Sequence, residues 1–317
     1  MIRLYCISMA LVFASGVALA APPIAGVVFS PDGEQIIAVS QNGLTIHDAK
    51  SLEVQRLIKL RLRQVTAVRF SPSGKQLVVV GGAPAEWGGV HVFDWPVPEN
   101  IDRQLQSLAD DVLYDAAWMS ETELAVAGSD GELLVFTVDG NLLRKMKGHS
   151  GHVMCVATLD GGKTLVTGGA DSSVRVWNCE SGALVRTLAN HTARLRDLIV
   201  RPGNEGLPMI ASAGKDKTVR LWQPTIGRLV RFARLESAPL SVDWTPSGNA
   251  LLAACEDGGL RVIDPATVRV IGHSPAVEGW AWAVAASPDG RHAAIAGENG
   301  QLRRISLESI RRTAAQP

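Results

Sequence analysis

The apolar residues of this chain fall in short runs. GVVF (26–29), QLVVV (76–80), ELAVA (123–127) and LLAAC (251–255) are examples, and Gly, Asp, Asn or Pro clusters separate them. Short apolar runs bounded by turn formers predict buried β-strands. No stretch of ten or more residues carries a clear helical face. The pattern predicts an all-β chain.

The punctuation itself repeats. SPDG (30–33), SPSG (71–74), TPSG (245–248) and SPDG (287–290) each follow an apolar run, with degenerate versions at MSET (119–122), LDGG (159–162) and RPGN (201–204). That makes seven units spaced by roughly forty residues, a period that marks propellers and solenoids. Each unit reads strand, Pro/Gly turn, apolar strand, Gly/Asp turn, then a strand with an aromatic near its end. The units run approximately 24–62, 63–109, 110–147, 148–189, 190–236, 237–276 and 277–317. Residues 21–317 are therefore expected to form one domain.

Residues 1–20, MIRLYCISMALVFASGVALA, stand apart. Arg3 precedes an apolar stretch that ends in Ala18-Leu19-Ala20. This is the form of a secretory signal peptide cut after Ala20. The alternative is an uncleaved membrane tether. Export into a periplasm is the preferred expectation, secretion the second, with no stable membrane insertion after cleavage.

Charge narrows the function classes. The 317 residues carry 31 basic and 31 acidic side chains. A nucleic-acid binder would need an excess of Lys and Arg to displace counterions, so no nucleic acid is expected. The arginines within 56–69, 220–234 and 303–312 read as solvated outer faces of strands. Cys155, Cys179 and Cys255 match no disulfide framework and read as buried thiols.

Two units carry a more specific signal. GHSGHVMCVATLDGGKTLVTGGADSSVRVWN (148–178) and NHTARLRDLIVRPGNEGLPMIASAGKDKTVRLWQ (190–223) resemble the WD (G-beta-like) repeat, and the other units resemble it at lower fidelity. The resemblance implies a seven-bladed β-propeller with four-stranded antiparallel blades. It further implies structural tetrads at His149, Thr167, Asp171 and Trp177, and at His191, Ser212, Asp216 and Trp222. The other blades depart from it: the Trp position holds His47, Phe93, Phe136, Ile263 and Ile305. Blade seven is expected to have a frayed or missing fourth strand, with 310–313 as the segment able to supply a short one.

No catalytic constellation emerges. His149 and His152 lie three apart, but zinc needs three or four convergent ligands, and no metal or other cofactor is expected. Ser212, His191 and Asp216 belong to a tetrad, so they do not read as a hydrolase triad. Without chemistry the expectation is protein binding. In WD-repeat proteins the loops at the narrow end usually make the contacts. Aligning the units places Gln64, Thr66, Tyr114, Ser129, His152, Met154, Arg194, Arg196, Lys215, Glu256, Trp280, Trp282 and Glu298 there, and a blade-two insertion, read as a lengthened loop, adds Glu86 and Trp87. Trp280 and Trp282 read either as binding anchors or as inter-blade packing. The leading expectation is a non-catalytic scaffold or accessory subunit. The alternatives are an enzyme or redox-associated propeller with a site in the central channel, and a carbohydrate platform on Trp87, Trp280 and Trp282.

Overall fold

A computed structural model of the chain describes residues 21–98, 104–203 and 206–314. The expected signal peptide, 1–20, lies outside the described residues. The rest is a seven-bladed propeller: six four-stranded sheets and one of three strands, each wound antiparallel in chain order.

The inner strands are Ile24–Phe29, Gln64–Phe70, Leu113–Trp118, Val153–Leu159, Leu195–Val200, Pro239–Trp244 and Ala281–Ala286. They surround a central channel. The second strands are nearly all apolar and buried, as in Gln35–Ser40 and Leu251–Cys255. Both faces of each blade pack on neighbouring blades, so these strands need apolar residues at successive positions. The fourth strands lie outermost and are mostly exposed, as in Leu184–Leu188.

Blade seven packs on blade one and closes the ring. Ala283, Ala285, Ala294 and Ala296 meet Ile24, Val27, Phe29 and Ile36 in one buried cluster. Small side chains on one blade admit large ones from the other, which keeps the interface dense. The recurring Pro-x-Gly turns also meet. A Cβ on Gly74 would stand 2.6 Å from Pro31 Cγ, and one on Gly33 3.4 Å from Pro288 Cδ. Both glycines have φ above +70°, a conformation that few L-residues adopt. The turn motif thus sets a local bend and a blade-to-blade contact together.

Three sequence expectations need correction. The segment 310–313 is not an outer strand. It lies in a helix, Leu307–Ala314, whose Leu307 and Ile310 are buried among blade-six and blade-seven residues. Leu, Glu and Arg favour helix, and Gly272 on blade six leaves room for Ile310, whose Cγ2 would lie 2.6 Å from a Cβ there. The blade-two insertion does not form a long loop. It lengthens the hairpin Gln76–Ala83/Trp87–Asp94 to eight residues per strand. Arg69 does not face solvent on an outer strand but lies on an inner strand, against the channel.

Candidate functional site

Every inner strand has a register irregularity at the same place. Pairing with the second strand skips Ala25, Thr66, Tyr114, Met154, Arg196, Leu240 and Trp282. A bulge leaves one residue unpaired and re-aims its side chain. Sevenfold repetition turns this local device into a ring, and all seven residues line one cavity of about 90 Å³ at the channel. Drug-sized ligands occupy pockets of about 300–1,000 Å³, so this cavity suits water or the tip of one side chain.

The ring is chemically uneven. Blades one, two and six contribute Ala25, Thr66 and Leu240, whereas blades three, five and seven contribute Tyr114, Arg196 and Trp282. Trp282 stands against Trp280, with ring centroids 5.0 Å apart and planes tilted by 55°. Trp280 is 37% exposed and Trp282 is half-buried. Tyr114 meets the His152 ring at 5.4 Å, and a His152 ring nitrogen contacts the Ser129 carbonyl. Among the described residues, Arg196 Nε, Trp282 Nε1 and Glu256 Oε1 are buried without a hydrogen-bond partner. Buried polar groups are normally satisfied, so these atoms suit water or a partner. Burial lowers the Arg196 pKa, and neighbouring Arg194 adds to the effect.

Below this ring the channel is charged. Asp115 Oδ1 lies 3.0 Å from Arg69 Nη2. Asp115, Asp197 and Asp243 each accept a backbone N–H from the next blade's inner strand, at Val156 (3.1 Å), Val242 (2.9 Å) and Ala286 (2.8 Å). These carboxyls stitch neighbouring blades. Burial pushes Asp115 up to about 6, with Arg69 opposing and Asp197 reinforcing the rise. Burial also raises Asp243 to about 6 against its two backbone hydrogen bonds. Thr158 and Thr66 make similar bonds to the carbonyls of Trp118 and Leu113.

The polar networks of blades four and five lie elsewhere, within each blade. Trp177 Nε1 donates to Thr167 Oγ1 (2.9 Å), which contacts His149 Nε2 (2.8 Å), while His149 Nδ1 meets Asp171 (3.0 Å). Blade five has the same chain through Trp222, Ser212, His191 and Asp216. With Trp donating to the hydroxyl and the hydroxyl to Nε2, the histidine is neutral and its Nδ1–H faces the carboxylate. Burial lowers both histidine pKa values against the pull of their aspartates. Burial alone would raise Asp171, but hydrogen bonds from Ser173 and His149 outweigh it and hold Asp171 at about 2. Each serine is buried and its hydroxyl is engaged, which leaves no exposed nucleophile in these networks.

The remaining sequence-selected residues scatter. Arg194 and Lys215 are exposed on blade five. Glu86 pairs with Arg63 at 2.5 Å in solvent. Trp87 packs on the core between blades one and two. The unit alignment reached Thr66, Tyr114, Met154, Arg196 and Trp282 of the ring but not Ala25 or Leu240, whose small or apolar side chains carry no signal. It also missed Asp115, Asp197 and Asp243. Their signal was a lone carboxylate inside an apolar inner strand. Among the described residues, no cluster of three or more His, Cys, Asp or Glu is placed to hold a metal, and no helix is long and apolar enough to cross a membrane.

The family described as WD domain, G-beta repeat matches residues 140–178, 182–223 and 234–264. The chain is 34% identical over 83 residues to intraflagellar transport protein 122 homolog of Mus musculus, a match covering 26% of this chain and 7% of that protein. The chain thus spans only a small part of that relative. It is 24% identical over 243 residues to methylosome protein WDR77 of Xenopus laevis, covering 71% of this chain and 72% of that one. It is 28% identical over 143 residues to the uncharacterized WD repeat-containing protein sll1491 of Synechocystis, covering 44% and 38%. These matches support a WD-repeat family and are consistent with an interaction scaffold.

Proposed function

We propose that this WD-repeat ring is a non-catalytic scaffold or accessory subunit that holds a protein partner at the channel mouth. The observation that carries the reading is the bulge ring. It presents Tyr114, Arg196 and Trp282 together, beside exposed Trp280, with two N–H groups unpartnered. Aromatic and Arg side chains in a rigid, partly desolvated setting are the usual anchors of protein interfaces. We further propose that the chain acts outside the cytoplasm, on the strength of residues 1–20.

Channel chemistry is the rival reading, and Asp115 and Asp243 favour it because perturbed carboxyls concentrate at active sites. Here burial accounts for both rises, against the lateral bonds to the next blade that already engage both carboxyls. The cavity beside Asp115, about 90 Å³, leaves little room for a substrate, and the one beside Asp243, about 360 Å³, is what the Asp243→Asn variant below probes.

The test is affinity capture from the exported fraction of the source cell, with mass spectrometry and an absorbance spectrum. A stoichiometric partner on a colourless protein, lost in the Trp280→Ala/Arg196→Ala double variant at unchanged melting temperature, supports the scaffold. A chromophore or a turnover activity abolished by Asp243→Asn sinks it. Amino-terminal sequencing of the exported product should begin at Ala21, and a retained Met1 refutes cleavage.

A further inference from the structure

Among the described residues, blade seven ends in an open edge. Its third strand, Leu302–Ser306, is the outermost of its sheet among the described residues, whereas the other six blades have a fourth strand outside theirs. The shared register allows a position-by-position comparison. In four blades a buried apolar side chain of the fourth strand sits opposite the third strand: Ile58 on Leu44, Met146 on Leu133, Leu188 on Val174 and Ala233 on Val219. Those third-strand residues are at most 1% exposed. Leu302 holds the equivalent place, pairing with Ala296 as Leu133 pairs with Ala127, yet it is only half-buried.

Two residues further on the chemistry changes. That position is Ile46, Val135, Val176, Leu221 and Val262 in blades one, three, four, five and six, all buried. In blade seven it is Arg304. In blades one, three, four and five the residue facing it from the fourth strand is Arg56, Arg144, Arg186 or Arg231. Opposite Arg304 another arginine would be repelled. Arg304 Nη2 reaches His292 Nδ1 at 3.1 Å, while its Nε is buried without a partner. Arg303 beside it is exposed.

We propose that this edge takes an extended segment of a partner protein as its fourth strand. The segment runs antiparallel to Leu302–Ser306, sets a carboxylate opposite Arg304, and lays an apolar side chain two residues later on Leu302. Main-chain hydrogen bonds give such strand addition its affinity, and alternate side chains give it specificity. Charge selects the occupant. Residues 1–20 contain no Asp or Glu, and the chain's own fourth strands bring arginine to this position in four blades. Neither matches Arg304. The proposal is independent of the channel mouth.

The probe is a fluorescein-labelled peptide, Ser-Thr-Val-Glu-Thr-Leu-Thr, titrated against the full chain by fluorescence anisotropy. The expected result is saturable binding that weakens roughly tenfold or more in Arg304→Glu, as for a desolvated charge pair that is reversed. A peptide with Lys in place of Glu should show the opposite preference, and Trp282→Ala should leave binding unchanged. Circular dichroism checks that the variant folds, and Arg304→Ala replaces it if it does not. No binding at millimolar peptide, or binding indifferent to both charge changes, overturns the proposal. Self-association of the chain that is lost in Arg304→Glu also overturns it, by placing a second copy there.

Discussion

Blade five and blade seven share a register, but their third strands have different surroundings. In blade five Trp222 is fully buried, its indole N–H bonded to Ser212, and a fourth strand covers the sheet. In blade seven Ile305 holds the same position and is half-exposed. The difference teaches that burial of a third strand depends on the strand outside it, not only on its own apolar pattern. It also separates two ways of finishing a blade. Blade five adds a polar network whose members are all satisfied, and such networks rigidify the structure around them. Blade seven leans on blade one and on the helix Leu307–Ala314.

The largest contrast should come from truncating the shared position. Trp222→Ala should cost about 3–5 kcal/mol, the range for a buried Trp that leaves a cavity. Ile305→Ala should cost about 1 kcal/mol or less, because only its buried part is lost. Urea unfolding of both variants measures this, and equal losses would erase the distinction between the blades.

Asp216→Ala comes next. It strands the His191 Nδ1–H and the Thr218 hydroxyl inside blade five, which should cost about 1–3 kcal/mol. A neutral result in the same assay would mean that the network does not hold the blade.

The pH dependence should separate the blades from the channel. His149 and His191 have folded pKa values below their unfolded ones. Their contribution is present above the ordinary histidine value and is lost as pH falls below it. Asp171, held at about 2, likewise gives stability that fades as pH falls from its ordinary 3.8. The channel carboxyls have the opposite sign. Asp115 and Asp243 are raised to about 6, so their contribution is full below 3.8 and is lost as pH rises through 6. Asp243→Asn should therefore be more favourable at pH 8 than at pH 4, by about 1–2 kcal/mol after allowing for water in the channel. Parallel stability profiles for variant and parent would show that Asp243 is not a buried charge.

The smallest effect belongs to the surface. Arg63→Ala breaks the exposed pair with Glu86 and should change stability by less than about 0.5 kcal/mol. A larger loss in thermal melts would mean that the blade-two hairpin depends on this tip.

Much of the ring was legible in the sequence, because its cause is local. Pro-x-Gly turns after apolar runs recur at a fixed period, and each turn needs the same backbone conformation wherever it falls. The His, Thr or Ser, Asp and Trp spacing of blades four and five could likewise be read from the chain through its family resemblance. Other features depended on neighbours distant in sequence. Ala25 and Leu240 look like ordinary core residues until seven bulges bring them into one ring with Trp282. Arg69 looks like a surface residue until its strand is known to be an inner one, paired with Asp115 on the next blade. Residues 310–313 have an apolar position that suits either a strand or a helix. The glycine at 272, on another blade, left room for the helix. By itself the sequence determined the number of blades and their turns, since strand periodicity and backbone angles belong to each short segment. Only the tertiary structure decided which side chains meet in the channel and which edge stays open among the described residues, since both depend on how the two ends of the ring come together.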